Sequence, residues 1–171
     1  DGARIFNASV ATNTPLRRMT RDYDSVSICL SKGLGAPVGS VLVGSEEFIG
    51  QAHRWRKMFG GGMRQSGILA AAGMYALENN IQRLQDDHRR AQSIARAIDE
   101  MDHVSVDVDA VQTNMVYFSA NGFSASEVSQ KMAKAGIDMF DISATHCRIV
   151  THLHITDQDV ERVIDALSTL S

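Results

Sequence analysis

The sequence predicts an α/β fold in two parts joined by a long helix. Two apolar, β-branched runs of strand length flank a hinge of small residues between positions 27 and 44. A charged amphipathic segment follows at 81–90, with opposite charges at helical spacing. Beyond it, alternating apolar and polar segments are interleaved with helical patterns, which is typical of a two-layer α/β domain. We therefore expect a first part at 1–82, a linking helix at 83–102 and a small α/β domain at 103–171.

The first part contains a strand pair and two predicted helices. Residues 5–8 change from polar to apolar, as where a strand ends and a loop or helix begins, and Pro15 with the charged residues at 17–22 indicates a surface connection. Strands precede and follow the hinge. A helix is expected from Glu46 to Met58, stopped by three glycines at 60–62. A second helix is expected from about Ser66 to Asn80, with a continuation or a further helix to about residue 101.

The last part alternates strands and helices. Strands are expected at 104–108, 115–119 and 148–153. Ser124 with Glu127 predicts the start of a helix that runs to about Ala135. Thr156 and Asp157 predict the start of a final helix that runs to about 170.

Composition and charge exclude several classes of protein. The chain has 171 residues, of which 44% are hydrophobic and 22% charged, as in ordinary globular proteins. A net charge of -3 gives no electrostatic case for nucleic acid or an anionic membrane as partner. No apolar run is long enough to cross a bilayer, and no signal peptide opens the chain. Two cysteines without a disulfide framework favour a reducing compartment, so we expect a cytoplasmic protein. Because the chain begins at Asp1 and not at Met, we expect it to be a fragment.

Lys32 is the one lysine inside the small-residue hinge. Between two buried strands an ammonium group would be costly to desolvate, which favours the neutral amine that attacks a carbonyl carbon. Small neighbours would let a flat ring approach the backbone closely. A glycine-rich hairpin with a solvated lysine at its tip is an equal alternative. A phosphate-binding loop fits less well, because it needs glycines before the lysine and a helix after it.

Four further charged residues have chemistry that matches a reactive lysine: Asp1, Arg4, Arg64 and Arg148. A carboxylate can keep a pyridine nitrogen protonated, while arginines can bind a phosphate and a carboxylate through two parallel hydrogen bonds. With Lys32 they form the set that pyridoxal phosphate (PLP) and an amino acid require. Each also has a structural alternative, namely a turn residue for Asp1, a helix-start surface residue for Arg64 and an edge-strand charge for Arg148.

A metal site is the weaker interpretation of the histidines near the C-terminus. Residues two apart on a strand share a face, so His146, Cys147, His152 and His154 could be considered as ligands. Their spacing matches no standard zinc pattern. We therefore predict no metal.

Four segments together carry a resemblance to a known family. Residues 1–8, 31–40, 54–65 and 148–153 resemble the corresponding motifs of the low-specificity L-threonine aldolases, and they extend over almost the whole chain. The resemblance implies the aspartate aminotransferase-like fold of PLP enzymes (fold type I), here as part of the large domain plus the small C-terminal α/β domain. It also implies cleavage of a β-hydroxy amino acid, L-threonine or L-allo-threonine, to glycine and acetaldehyde, in glycine biosynthesis and threonine catabolism, by a homotetramer with shared active sites.

The resemblance implies a role for each matched residue. Lys32 would be the catalytic, Schiff-base lysine, and Asp1 the partner of the pyridine nitrogen. Arg4 would lie near the cofactor's phenolic oxygen and the substrate carboxylate, Arg64 would reach a cofactor phosphate across a subunit boundary, and Arg148 would bind the substrate carboxylate.

The family pattern also limits what this chain can do alone. In the family, the aromatic residue that stacks on the cofactor and the glycine-rich loop that binds its phosphate both precede the motif that begins at Asp1. We therefore expect the full-length parent to be the aldolase, and this piece to be inactive, with exposed sheet edges. Another PLP enzyme of the same fold, an aminotransferase or a β-eliminating lyase, and a non-catalytic assembly module are the alternatives.

Overall fold

The chain forms two units, one at Asp1–Leu84 and one from Gln85 onward, in a computed structural model that describes residues 1–170. Each unit has its own hydrophobic core. Within the described residues, no helix is both long and apolar enough to cross a bilayer.

The first unit contains one antiparallel strand pair and four helices. Its elements are α1 (Ile5–Thr12), α2 (Leu16–Thr20), β1 (Ser25–Cys29), β2 (Ser40–Gly44), α3 (Glu46–Met58) and α4 (Gly67–Asn79). In the register of the pair, Ser25 lies opposite Gly44 and Cys29 opposite Ser40. The small core consists of Phe6, Leu34, Ala36, Ala76 and Leu84.

Helix α3 has the bounds predicted from the sequence, because its ends are set by local chemistry. The Ser45 side chain accepts a hydrogen bond from the backbone N–H of Phe48 at 3.2 Å, which satisfies one unpaired donor of the first turn. Acidic residues occupy the first turn and basic residues the last, opposite in sign to the charges at the two ends of the helix dipole. Gly60, at φ +85°, takes the left-handed conformation beyond the helix end.

Two helices occur where the sequence pattern predicted a change of structure and a surface connection. Helix α1 buries Phe6 and Asn7 but has no side-chain hydrogen bond at its N-terminus, so the local start signal is absent. Helix α2 is only five residues long and follows Pro15, whose fixed φ favours a helix start. The long helical segment is two helices, because residues 80–83 between α4 and the next helix are not helical.

The expectation that both strands beside the hinge are buried is wrong for this chain. Strand β1 is mostly half-buried, and β2 is exposed along its whole length. Val41, Leu42 and Val43 are 41%, 41% and 49% exposed. The physical reason is that, among residues 1–170, β1 and β2 pair only with each other, so no further strand extends their sheet.

The second unit is a four-stranded antiparallel sheet with helices on one face. Its elements are α5 (Leu84–Asp99), β3 (Val104–Val106), β4 (Met115–Ala120), α6 (Ala125–Lys134), β5 (Phe140–Asp141), β6 (Cys147–Val150) and α7 (Asp157–Ser168), with strand order β3-β4-β6-β5. Capping boxes at Ser124 and Thr156 begin α6 and α7 as the sequence predicted. Strand β6 ends earlier than expected, and β5 was not predicted.

The two faces of this sheet differ because side chains alternate along each strand. Phe118, Cys147 and Ile149 point into the core, where they pack with residues of α5, α6 and α7. Tyr117 and Arg148 point to the opposite face. The open face of the sheet therefore contains a cation beside aromatic side chains.

Candidate functional site

Lys32 lies on a loop whose backbone is fixed by hydrogen bonds and by the core. The loop is closed where the Leu30 N–H donates to the Gly39 carbonyl and the Ala36 N–H to the Leu30 carbonyl, both at 3.0 Å. Gly33 is buried, and a Cβ atom at this position would lie 2.6 Å from Asn7 Oδ1. A glycine is therefore required directly after the lysine, because the backbone there touches a buried side chain.

The side chain of Lys32 is exposed, in contrast to its buried neighbours Gly33 and Leu34. The Asn80 side chain donates to the Leu34 carbonyl at 2.7 Å and fixes the loop to the end of α4. In this structure the Lys32 side chain is therefore solvated, as in the alternative of a glycine-rich hairpin with the lysine at its tip. The loop combines a fixed backbone with an accessible amine.

Asp1 and Arg4 line one cavity of about 460 Å³ at the edge of β1. The Gly2 N–H donates to the Ser27 carbonyl at 2.7 Å, so the segment is anchored directly to β1. Asp1 Oδ1 accepts a hydrogen bond from the Ala3 N–H at 2.9 Å, which orients the carboxylate. Lys32 follows Ser27 by five residues, and five residues span at most about 18 Å, so the backbone of Lys32 lies no farther than this from Ser27.

Arg64 lines a separate cavity of about 580 Å³ that contains several cationic side chains. Arg54, Arg56 and Lys57, at the end of α3, share it. The glycine loop approaches α3 closely, since a Cβ at Gly62 would lie 2.9 Å from Lys57 Nζ. Such a concentration of positive charge favours an anionic ligand. The sequence suggested only a solvated helix face for the α3 residues, because their proximity to Arg64 depends on how the loop folds back.

Arg148 is at the centre of the open face of the second unit's sheet. Strand β6 is an inner strand, so the alternative of an edge-strand charge is wrong. Arg148 lies opposite Tyr117 of β4 and Phe140 of β5. Its Cζ is 4.9 Å from the centroid of the Phe140 ring. Its Nε is buried and has no hydrogen-bond partner among the described residues, and an unpaired buried donor is costly unless a ligand supplies an acceptor.

Cys147, next to Arg148 in the chain, is a core residue. Its Sγ lies 3.6 Å from the Ala125 carbonyl. Burial, with a smaller contribution from Asp141, raises the pKa of the Cys147 thiol above its ordinary value. A buried thiol with a raised pKa is a poor nucleophile.

The predicted site residues fall into separate places. Asp1 and Arg4 share a cavity, whereas Lys32 is not among the residues that line it, and Arg64 lines the basic cavity. Arg148 belongs to the second unit.

The C-terminal histidines include one ring pair. His152 and His154 pack edge to face with centroids 5.7 Å apart. Residues 1–170 contain no group of three or more histidine, cysteine or acidic side chains placed to hold a metal ion.

Comparison with known proteins identifies similar sequences and structures. The family model described as beta-eliminating lyase matches residues 1–121. A low specificity L-threonine aldolase of Escherichia coli is 49% identical over 95% of this chain and 47% of its own length. Low-specificity L-threonine aldolase 1 of Arabidopsis thaliana is 44% identical over 94% of this chain and 46% of its own length. The chain spans about half the length of the curated relatives it matches.

A solved structure confirms the fold class expected from the sequence. The crystal structure of a Listeria monocytogenes protein assigned as an L-allo-threonine aldolase superposes with a TM-score of 0.79 at 22% identity. The superposition covers 98% of this chain and 50% of the Listeria monocytogenes chain. At this identity the likeness establishes the fold, while the relatives above confirm the resemblance carried by the motifs.

Proposed function

The chain belongs to the beta-eliminating lyase family, and on that premise we propose that it supplies the lysine-bearing half of a PLP-dependent enzyme that cleaves L-threonine or L-allo-threonine to glycine and acetaldehyde. The observation that carries the proposal is Arg148, a cation whose buried Nε has no partner among residues 1–170. A substrate carboxylate supplies acceptors of the kind that this arginine lacks.

The donor set fits PLP. Lys32 offers an accessible amine on a fixed loop, and Asp1 offers an oriented carboxylate beside the same strand. Arg64 and its cationic neighbours offer a site for a phosphate. When bound, PLP accepts the electron pair released as a bond to the amino-bearing carbon breaks.

The residues of this chain would bind and orient the reactants. Lys32 would hold the cofactor covalently through its Nζ, and Asp1 would keep a proton on the ring nitrogen. Arg148, with Arg4, would bind the substrate carboxylate and so fix which bond of the amino-bearing carbon is aligned for cleavage. Arg64 would bind the phosphate. Its action across a subunit boundary, the homotetramer and the cytoplasmic location remain predictions from the resemblance.

Covalent trapping tests the role of Lys32. The whole protein is incubated with PLP, reduced with borohydride, and digested for mass spectrometry. We expect a yellow absorbance band and a reduced adduct on the Lys32 peptide, both lost in Lys32→Ala. Lys134→Ala is the matched control, because Lys134 is also exposed but lines neither the Asp1 cavity nor the basic cavity, and this variant should keep the adduct on Lys32. Labelling spread evenly over exposed lysines would contradict the assignment.

Product analysis tests the reaction. Cleavage of threonine between its α- and β-carbons gives glycine and acetaldehyde. The family description favours β-elimination as the second candidate, and this reaction would convert threonine to ammonia and 2-oxobutanoate. Acetaldehyde and glycine in equal amounts support the aldolase, whereas 2-oxobutanoate would assign the eliminating reaction.

A further inference from the structure

The surroundings of Arg148 contain one feature that the proposed reaction does not account for. Arg148 lies between two aromatic cross-strand neighbours, Tyr117 on β4 and Phe140 on β5. Only Phe140 places its ring against the guanidinium, at 4.9 Å from Cζ. Phe140 is nevertheless 57% exposed, so the ring is not there to fill the hydrophobic core.

The position of Phe140 is fixed by its surroundings. Strand β5 is only two residues long, but Asp141 pairs with Cys147 in the same register that pairs Phe140 with Arg148. The Ile142 N–H donates to the His146 carbonyl at 2.9 Å, closing the turn after β5. A short strand with a fixed register thus presents an exposed aromatic ring to one cation.

Such a contact restricts the motion of a long side chain. An arginine on an open sheet face samples several rotamers, and ordering it when a ligand binds is costly. The face of an aromatic ring attracts a guanidinium and selects rotamers that keep it there. The Nε of Arg148 has no hydrogen-bond partner among the described residues, so a hydrogen bond at this atom does not provide the restraint.

We propose that Phe140 is a positioning residue that holds the Arg148 guanidinium in the orientation in which it binds the carboxylate of a small amino acid. The proposal rests on the proposed function for the identity of the substrate, but the contact between ring and cation is independent of it. Loss of the ring should weaken carboxylate binding about three-fold, because an exposed contact of this kind is weak.

Three variants separate positioning from a general structural effect. Phe140→Leu removes the ring, and Phe140→Tyr keeps it. Phe123→Leu is the matched control, because the Phe123 ring contacts Lys131 at the same 4.9 Å in the same unit. In the full-length parent, Phe140→Leu should increase KM for threonine about three-fold with little change in kcat. Phe140→Tyr and Phe123→Leu should remain close to the original protein.

A measurement without turnover keeps this inference separate from the proposed function. The proton–nitrogen NMR signal of the Arg148 Nε–H, assigned by its loss in Arg148→Lys, is followed as sodium acetate is added at constant ionic strength. We expect Phe140→Leu to move the signal and to weaken acetate binding about three-fold, with recovery in Phe140→Tyr. Equal acetate binding in the original protein and Phe140→Leu, or an equal loss in Phe123→Leu, would overturn the inference. If the full-length parent of this chain releases no acetaldehyde from threonine, the proposed function fails, and the acetate titration still decides the role of Phe140.

Discussion

Substitution of Gly33 by alanine should destabilise the first unit, because there is no space for a methyl group beside Lys32. The added Cβ would lie 2.6 Å from Asn7 Oδ1 and 3.1 Å from Leu84 Cδ2. Asn7 and Leu84 are 2% and 0% exposed, so neither can move into solvent. Overpacking of this kind costs about 1–3 kcal/mol, and the stiffer unfolded chain offsets about 0.4–1 kcal/mol. We expect a net loss of about 1–2 kcal/mol.

Urea denaturation followed by circular dichroism measures this loss. With a slope of about 2 kcal/mol/M, the midpoint of the first unit should fall by about 0.5–1 M. The matched control is Gly50→Ala in the interior of α3, where the added Cβ meets no atom within 4 Å among the described residues. That variant should be more stable by about 0.5–1 kcal/mol, because alanine favours a helix over glycine.

The two variants together decide whether the packing argument is correct. The same chemical change is made in both, so a difference in sign can come only from the surroundings. If Gly33→Ala were as stable as the original protein, the close approach of the loop to Asn7 would be refuted. A fall in borohydride labelling of Lys32 in Gly33→Ala would further show that the glycine positions the lysine.

Three other predictions concern the second unit. Ser124→Ala removes the hydroxyl group of the capping box and should cost about 1 kcal/mol, measured by urea denaturation. Hydrogen bonds from Arg90, and next from Arg89, hold the pKa of Asp157 below its ordinary value. The contribution of Asp157 to stability is therefore complete above the unfolded pKa of about 4 and is lost as the pH falls through the lower folded pKa. Asp157→Asn removes this contribution, so the urea midpoint should depend less on pH at acid pH. Cys147 should react with a thiol reagent only on unfolding, whereas the half-buried Cys29 should react in the native state; equal rates would contradict the burial of Cys147.

The ends of several helices could be predicted because their signals are local. Ser124 and Glu127, three residues apart, exchange the two hydrogen bonds of a capping box, and Thr156 and Asp159 repeat the pattern. Each signal lies within four residues of the helix it begins. Helix α1 lacks such a bond at its first turn, so its start could not be found in the same way.

Burial of the strands beside Lys32 could not be predicted, because it depends on distant residues. A continuous apolar run is typical of a strand covered on both faces. The run at 41–43 has this composition, but in this chain it is 41–49% exposed. The composition predicts that β2 can be covered, and the residues that pack nearby determine whether it is.

The sequence pattern predicts the chemical type of the candidate site residues but not their surroundings. The motif that contains Arg148 predicts a carboxylate-binding arginine, but Phe140 lies in a two-residue strand that is too short to produce an alternating pattern. The approach of Lys57 to the loop that leads to Arg64 likewise depends on the fold of the glycine segment. The next strand expected from the sequence begins eight residues later, at 148, so no local signal identifies Phe140.

The proposed binding groups differ from the structural cations in how their hydrogen-bonding capacity is used. Arg90 donates to Asp157 at 2.8 Å and joins α5 to the start of α7, so its charge is already paired. Arg148 sits on a strand of fixed register with its Nε unpaired, and Lys32 sits on a fixed loop with its side chain in solvent. Both residues have a fixed backbone and side-chain donors that are not all paired within the described residues. Such donors lower the stability of the fold or contribute nothing to it. A rigid backbone with unpaired donors on the side chain is expected where a cation binds a ligand. Phe140 contacts Arg148 through the face of its ring and not through a hydrogen bond. In the proposed role it therefore orients the guanidinium without occupying the donors that a carboxylate needs.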